Sequence, residues 1–387
     1  MKYKELLFYN MEEKMNIGIM TFQGSNNCGS MLQGYALTEK VNSIKGVNCE
    51  IINFSNLEQQ DMYALFRKMD SLTDIGINVF TVLFYKRFST HFNDYQNFFK
   101  EHLKTSNTLI SKTEDLKEIV DNYDAFIAGS DQVWNINCRD FDDAYYLSFV
   151  GNDKKKIAYA PSFGSTNMAK LNIKKYNDYI SAFDSLSIRE NNGSKWIKEL
   201  TGREAPVLLD PTFLLTKEEW FELSDNMNYK VDKEYIFYYA FSYSDEVNKV
   251  VKKFSKETGL PVIIMDAKSW VKKAAKYGFK LSERSGPLAF LNLIRNAKYV
   301  FTTSFHGTVF SVLFEKKFWY VDSAMHNSDD DRAETILDKL GLMDRIRKSE
   351  VMIKSNIDEE INYKPVMEKL EIERKKSFNY LRESLMK

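Results

Sequence analysis

The sequence of 387 residues has little of several features that mark particular classes of protein. It has no excess of charge, because 54 Lys and Arg residues balance 54 Asp and Glu residues. Nucleic acids and other polyanions are bound by strongly basic surfaces, so we expect no nucleic-acid partner. A small-molecule substrate is the better expectation for a chain of this composition.

Cysteine is also scarce. The three residues Cys28, Cys49 and Cys138 are an odd number without the spacing of a metal site. They fit a reducing compartment better than a disulfide framework, so we expect a cytoplasmic protein. The acidic stretches RDFDD and HNSDDD are interpreted as exposed loops, and no metal is predicted.

Long hydrophobic runs are missing too. Residues 1–15 lack the apolar core and cleavage site of a signal peptide and are interpreted as an N-terminal extension. The longest apolar stretch, from Ile77 to Tyr85, is far shorter than the roughly 20 residues needed to cross a bilayer. Lys86 and Arg87, with the aromatic residues around them, leave open a contact with the inner face of a membrane. An amphipathic helix packed on its own domain is the simpler alternative.

Strand-like and helix-like segments alternate along the rest of the chain. NIGIMTF, CEIINF and DAFIAGSD are typical of buried strands, APVLLDPTFLL is predicted to be the last strand of the first half, and a second series starts at YIFYYAF. We therefore expect an α/β fold with two Rossmann-like domains facing a cleft. The predicted parts are an N-terminal domain over 16–228 with a helical insertion, a C-terminal domain over 229–362 and a terminal helix over 363–387.

Ligands of such folds bind at the carboxyl ends of the strands, where strand-to-helix turns lie. The first turn of interest is QGSNNCGS, which contains Gly24, Asn27 and Gly29. Glycine lets the backbone approach a ligand closely, and the following helix offers its N-terminus to an anion. A plain tight turn explains the same spacing.

Two further turns carry charged residues. In AGSDQVWN, Asp131 either accepts a proton from a sugar hydroxyl or caps a helix, and Trp134 either packs on a sugar ring or belongs to the core. In SIREN, the guanidinium of Arg189 either clamps a phosphate or carboxylate with two parallel hydrogen bonds or forms a structural ion pair.

The fourth turn is TTSFHGTVF, which contains one of only four histidines in the chain. Ser304, His306, Gly307 and Thr308 surround the start of a helix whose positive end would point at a bound anion, beside a group that titrates near neutrality. A lone histidine is more often structural. Arg332 opens a later helix and either reaches the cleft or lies on a solvated face.

Taken in order, these segments resemble the polysaccharide pyruvyl transferase family. The segments are GSNNCGSMLQGYAL, YDAFIAGSDQVWN, YAPSFG, SIREN, LLDPTFLL and TTSFHGTVFSVLF, and the resemblance extends from about Asn16 to Leu342. The resemblance implies a fold similar to that of B-type glycosyltransferases. It also implies transfer of the pyruvyl group of phosphoenolpyruvate to a hexose of a surface polysaccharide or its precursor, forming a ketal. The co-substrate phosphoenolpyruvate is the small-molecule donor, no cofactor is implied, and the acceptor is a glycan or a lipid-linked glycan.

The resemblance also implies roles for the residues in these turns. His306 occupies the position of the family's histidine, as the acid or as a phosphate contact, and Asp131 is the candidate base. Acceptor binding is assigned to Trp134 and Arg332. Binding of the donor or its anionic groups is assigned to Arg189, Ser304, Gly307, Thr308, Gly24, Asn27 and Gly29. Where better-studied members have an arginine two positions before the histidine, this chain has Ser304, so that Arg189, Arg332 or a lysine must supply the cation if the donor is phosphoenolpyruvate. Glycosyl transfer from a nucleotide sugar and non-catalytic glycan or anion binding stay open as alternatives.

Overall fold

The computed structural model describes residues 14–240, 242–322, 329–352 and 358–386. Nearly all of the predicted N-terminal extension, residues 1–13, therefore lies outside the described residues.

The first half of the chain forms a four-stranded sheet. Its strands are β1 (Met15–Met20), β2 (Val47–Ile51), β3 (Ala125–Ala128) and β4 (Lys155–Ala158), in the order β2-β1-β3-β4. All pairings are parallel, with Ile17 opposite Cys49 on one side and Ala125 on the other. Strand β3 is wholly apolar and buried, as expected in a parallel sheet whose two faces are covered by helices.

Helices of this half connect the strands and extend beyond them. They are α1 (Cys28–Asn42), α2 (Leu57–Tyr63), α3 (Leu72–Leu83), α4 (Tyr85–His102), α5 (Met168–Leu171), α6 (Lys174–Ser181), α7 (Asn191–Thr201) and α8 (Lys217–Ser224). Helices α2 to α4 form the predicted helical insertion between β2 and β3. Their position matters for the site because they lie over the carboxyl ends of the strands.

The second half forms a six-stranded parallel sheet. Its strands are β5 (Ile236–Tyr239), β6 (Val262–Ile264), β7 (Lys280–Leu281), β8 (Tyr299–Thr302), β9 (Lys317–Asp322) and β10 (Ile346–Lys348), in the order β10-β9-β8-β5-β6-β7. The helices are α9 (Asp245–Thr258), α10 (Ala267–Ser269), α11 (Gly286–Asn296), α12 (Phe305–Leu313), α13 (Arg332–Leu340) and α14 (Ser349–Met352). Two parallel sheets with helices on their faces confirm the predicted α/β class.

The last helix, α15 (Tyr363–Met386), returns to the first half of the molecule. The Ser377 hydroxyl accepts a hydrogen bond from the backbone N–H of Leu209 at 3.0 Å, and the Tyr380 hydroxyl donates one to the carbonyl of Ala158 at 3.1 Å. The C-terminal helix thus packs against the domain that begins the chain. The predicted boundary at residues 228 and 229 lies between α8 and β5.

One predicted strand is wrong. In APVLLDPTFLL, Val207 makes an isolated bridge to Ile188, after which a 3₁₀ helix runs over Pro211–Leu214. Pro211 has no N–H to donate to a sheet, and the side chain of Asp210 accepts a hydrogen bond from the N–H of Thr212 at 3.0 Å instead. The chain turns at Asp210, which brings this carboxylate into the candidate site.

Candidate active site between the two sheets

The turn after β1 is closed by Asn27, the residue before α1. Its side-chain oxygen accepts hydrogen bonds from the N–H groups of Gly29 at 2.9 Å and Ser30 at 3.3 Å. The cap occupies donors at the helix N-terminus that an anion would otherwise use. Gly24, the other glycine of this turn, lines a separate cavity of about 280 Å³ below α2 and α4.

The turn after β8 is built in the same way in the other domain. The Ser304 hydroxyl accepts a hydrogen bond from the N–H of Gly307 at 3.4 Å, and the Thr308 hydroxyl donates one to the Ser304 carbonyl at 3.1 Å. His306 lies in the first turn of α12, where its side chain is turned toward the other domain. The three neighbouring residues therefore hold the turn, and a contact between them and a donor stays a prediction.

The two turns meet at the imidazole of His306. A Cβ atom added to Gly29 would lie 2.0 Å from Nδ1 of His306, which no real side chain tolerates. Glycine is thus required at this position of α1 because the imidazole of the other domain fills the space. The two predicted turns belong to one site.

Four charged residues, Asp131, Arg189, Asp210 and His306, form a buried charged cluster between the sheets. Nη1 of Arg189 lies 2.7 Å from Oδ2 of Asp210, and Nη2 lies 3.6 Å from Oδ1 of Asp131. Nε2 of His306 lies 3.5 Å from Oδ2 of Asp210. None of the four is more than 7% exposed. Three of them come from predicted turns, whereas Asp210 was missed because its segment reads as a strand.

Asp131 is held in an uncommon backbone conformation. Its φ angle is +75°, which lies in the left-handed region that residues other than glycine rarely adopt. Its Oδ2 accepts a hydrogen bond from the Ser30 hydroxyl at 2.5 Å, and its Oδ1 accepts one from the N–H of Gln132 at 2.9 Å. No helix begins here, so the helix-cap alternative is wrong. Strain of this kind is concentrated at functional sites.

The electrostatics of the charged cluster keep both carboxylates ionised. Burial acts to raise the pKa of Asp131, but Arg189, His306 and the hydrogen bond from Ser30 lower it below its ordinary value. Burial also opposes ionisation of Asp210, whose pKa is nevertheless lowered by His306, Arg189 and Thr212. Nε2 of His306 faces Oδ2 of Asp210, so the imidazole lies directly beside an ionised carboxylate.

Several donors of the charged cluster are unused. Nε and Nη2 of Arg189 and Nε2 of His306 are buried, and no atom of the described residues forms a hydrogen bond with them. The guanidinium is held in place by the ring of Phe305, whose centroid lies 4.2 Å from Cζ of Arg189. Buried polar groups are normally satisfied, so these donors point to an anionic ligand.

Glu190, directly after Arg189, is a titratable residue that the sequence interpretation missed. Its side chain is fully buried, and Oε1 accepts a hydrogen bond from the N–H of Phe163 at 2.8 Å. Burial raises the pKa of Glu190 to about 7, although Arg189 and Arg332 oppose this. Oε2 has no hydrogen-bond partner within the described part of the chain. The signal was present in SIREN, where an acid follows the arginine directly.

The two predicted acceptor contacts have different outcomes. Trp134 is fully buried, its indole N–H donates to the carbonyl of Tyr145 at 3.2 Å, and its ring stacks on Tyr146 at 5.1 Å. The prediction that Trp134 packs on a sugar is wrong, because an aromatic core covers the ring. Arg332 forms a two-pronged ion pair with Asp330 at 2.7 and 2.6 Å and lies close enough to influence Glu190. Its side chain is mostly buried, not on a solvated face.

A cavity of about 390 Å³ lies next to the two turns that meet at His306, and none of the four residues of the charged cluster lines it. Its wall includes Asn27 from the first sheet edge and Tyr239 and Ser304 from the second, and its roof comes from the helical insertion. The cavity is therefore a cleft between the carboxyl ends of the two sheets, where α/β folds bind ligands.

In the described ranges no helix is long and apolar enough to span a membrane.

Comparison with known proteins agrees with this architecture. The family model described as polysaccharide pyruvyl transferase matches residues 27–324, which is most of the chain and includes the charged cluster. No curated protein matches the sequence.

Solved structures show the same fold at low identity. The UDP-GlcNAc 2-epimerase of Methanocaldococcus jannaschii is similar over 94% of this chain and 99% of its own, with 10% identity and a TM-score of 0.55. The enzyme of that name from Neisseria meningitidis covers 96% and 99% at 7% identity, with a TM-score of 0.54. The one from Rickettsia bellii covers 95% and 96% at 8% identity, with a TM-score of 0.53. These similarities confirm the predicted B-type glycosyltransferase fold.

Proposed function

This chain belongs to the polysaccharide pyruvyl transferase family, and from that premise we propose that it transfers the pyruvyl group of phosphoenolpyruvate to a sugar of a surface polysaccharide or its precursor. One observation carries the proposal. Nε and Nη2 of Arg189 and Nε2 of His306 are buried nitrogen atoms without a hydrogen-bond partner among the described residues. They lie in the charged cluster, where the edges of the two sheets meet. A small, doubly anionic donor would satisfy them.

Arg189 is the donor-binding cation of this proposal. Its fork matches the geometry of a carboxylate or phosphate, and two of its nitrogens have no hydrogen-bond partner among the described residues. Arg189 thereby supplies the positive charge that Ser304 does not. An unpaired buried donor costs about 1–3 kcal/mol, which binding of the anion would relieve.

The reaction needs one proton delivered and two hydroxyls activated. A proton adds to the methylene carbon of phosphoenolpyruvate while one sugar hydroxyl attacks the neighbouring carbon, and a second hydroxyl then attacks that carbon as phosphate leaves. One of the two hydroxyl protons replaces the proton that was delivered to the carbon, and the other protonates the leaving phosphate. His306 is the proposed acid, because its imidazole lies between the two sheet edges with Nε2 3.5 Å from Oδ2 of Asp210.

Asp131 keeps its proposed role at the acceptor. Because Asp131 is ionised, it accepts a hydrogen bond from the attacking hydroxyl. Its lowered pKa makes it a weak base, so that the proton moves only as the C–O bond forms and the hydroxyl becomes acidic. A glycan or lipid-linked glycan as acceptor, and the cytoplasm as the location, are further parts of this proposal.

The proposal is tested by incubating the full chain with phosphoenolpyruvate and glycan acceptors, free or lipid-linked. We expect release of inorganic phosphate that depends on the acceptor and a product heavier by one pyruvyl group. Arg189→Gln should lower kcat/KM by about 10²-fold or more. Arg345→Gln is the matched control. Arg345 is equally buried, but its ion pairs are with Asp344 and Glu359, which do not belong to the charged cluster.

Two results would contradict the proposal. One is turnover of a nucleotide sugar without phosphoenolpyruvate, which would make the chain a glycosyltransferase. The other is equal activity of Arg189→Gln and Arg345→Gln in the phosphate-release assay, which would remove Arg189 from donor binding.

A further inference from the structure

Helix α3 turns its apolar side to solvent. Leu72, Ile75, Val79 and Leu83 follow one another at intervals of three and four residues and therefore share one face of the helix. Their side chains are 87%, 42%, 53% and 70% exposed. The simpler alternative in the sequence, an amphipathic helix that packs its apolar face on its own domain, is wrong for α3.

Three polar residues of α3, Asp74, Asn78 and Thr81, point inward. The side chain of Asn78 both accepts from the N–H of Arg67 and donates to its carbonyl, each at 2.9 Å. Asp74 lies 3.6 Å from the same arginine, and Thr81, only 3% exposed, lines the cleft. A surface helix normally buries its apolar stripe. The inverted orientation of α3 therefore indicates an apolar partner outside the chain.

The apolar face of α3 continues into its flanking segments. The same patch includes large side chains that are all 41–73% exposed, namely Phe66, Met69, Phe80, Val82, Phe84 and Tyr85. We call these six residues, together with Leu72, Ile75, Val79 and Leu83, the apolar patch. Phe and Tyr side chains are favoured at the boundary between lipid and water, because their rings sit at the level of the head groups.

Exposed lysines surround the apolar patch. Lys68 precedes α3 and Lys86 follows it, and both are exposed. Lys272 and Lys273 are exposed on the short π-helix Trp270–Ala274. The guanidinium of Arg87 lies over the ring of Trp270 in this helix, with Cζ 5.8 Å from the ring centroid. Among the residues from 66 to 87 whose side chains the structure describes, Asp70 is the one exposed carboxylate. The rim of the patch is thus positively charged.

We propose that the apolar patch docks this protein on an anionic lipid bilayer, with α3 lying in the plane of the interface. Its 12 residues are too few to cross a bilayer, but an apolar face flanked by lysines is the pattern of interfacial helices. A symmetric pairing of two copies through the patch is disfavoured, since it would bring the lysine rims together. The inner side of the same segment roofs the cleft, so docking would place the cleft next to the membrane surface.

Vesicle flotation tests the docking directly and does not depend on the enzymatic reaction. The full chain is mixed with phosphatidylcholine vesicles with and without phosphatidylglycerol. We expect binding to the anionic vesicles that weakens with salt. Each lysine near the surface is worth about 1 kcal/mol, so Lys68→Gln with Lys86→Gln should lower the partition coefficient roughly 30-fold. Leu72→Glu, Val79→Glu and Leu83→Glu combined should abolish binding.

The matched control is Ile372→Glu, because Ile372 is 66% exposed but lies on α15 outside the patch. It should bind vesicles as the unchanged protein does, and all variants should keep the same thermal unfolding midpoint because only exposed side chains change. Absence of vesicle binding, or equal binding by the triple variant, would overturn the proposal. So would a triple variant that converts a dimer into a monomer without lipid, which would assign the patch to a second copy.

Discussion

The turn after β1 and the turn after β8 have the same local design but different purposes. Each has a capping side chain before its helix, Asn27 or Ser304, and a glycine in the first turn. A Cβ on Gly29 would meet the imidazole of His306 in the other domain at 2.0 Å, whereas a Cβ on Gly307 would meet Oγ1 of Thr302 in its own domain at 2.1 Å. Gly29 therefore belongs to the site between domains, and Gly307 belongs to the packing of one domain.

The comparison of the turns after β1 and β8 depends first on whether the imidazole of His306 is the catalytic acid. If His306 is the acid, His306→Ala should lower kcat by about 10²- to 10⁴-fold with little change in thermal stability. Phosphate release from phosphoenolpyruvate measures the loss. As a control, His102→Ala changes a histidine on the outer end of α4, and its rate should stay near that of the unchanged protein. Equal rates for the two variants would remove the imidazole from the mechanism.

The two glycines provide the sharpest test. Gly29→Ala should displace the imidazole and lower kcat by about 10²-fold, because a shift of about 1 Å suffices for such a loss. Gly307→Ala should mainly cost stability, by about 1–3 kcal/mol, because Thr302 lies in the buried strand β8.

Both predictions are tested by measuring kcat and the free energy of unfolding in denaturant for Gly29→Ala and Gly307→Ala. Gly76→Ala is the control. A Cβ at Gly76 meets nothing within 4 Å, so Gly76→Ala should impair neither property. If Gly29→Ala lost only stability and Gly307→Ala lost only activity, the two turns would have to exchange their assigned purposes.

Glu190, the acid directly after Arg189, predicts a pH dependence of the free energy of unfolding. Burial raises the pKa of Glu190 from 4.5 to about 7, so the folded state keeps a proton that the unfolded state loses between these values. Stability should therefore fall as the pH rises from about 4.5 to 7, by up to about 3 kcal/mol. Denaturant unfolding of the unchanged protein should show this fall relative to Glu190→Gln. Parallel curves would mean that Glu190 ionises at its ordinary pKa.

The helix caps should show the smallest effect. Asn27 accepts two hydrogen bonds at 2.9 and 3.3 Å, whereas Ser304 accepts one at 3.4 Å. Removal of a cap typically costs about 1 kcal/mol, so Asn27→Ala should destabilise the protein more than Ser304→Ala. Urea unfolding of both variants measures the difference, and Asn27→Ser should recover part of the loss. The opposite order would mean that Ser304 has stabilising contacts beyond its cap.

Much of the fold was predictable from short patterns. The apolar runs that became β1, β3, β5 and β8 were recognised because buried parallel strands are apolar throughout. The strand predicted over APVLLDPTFLL failed because Pro211 cannot donate to a sheet, and Asp210 was missed with it. Trp134 was misplaced because a tryptophan after a turn looks the same in sequence whether it faces a ligand or the core.

Local pattern thus dictated the alternation of strands and helices, the turns after β1, β3 and β8, and the presence of Asp131 and His306 in them. It also picked out Arg189, which follows an isolated bridge at Ile188 and not a strand. Tertiary packing decided which of these side chains meet, which way α3 faces and that Asp210 joins the charged cluster. The physical reason is range: hydrophobic periodicity and capping act over a few residues, whereas the contact of Gly29 with His306 joins positions far apart in the chain. Such contacts exist only when both sheets and the helices between them have packed.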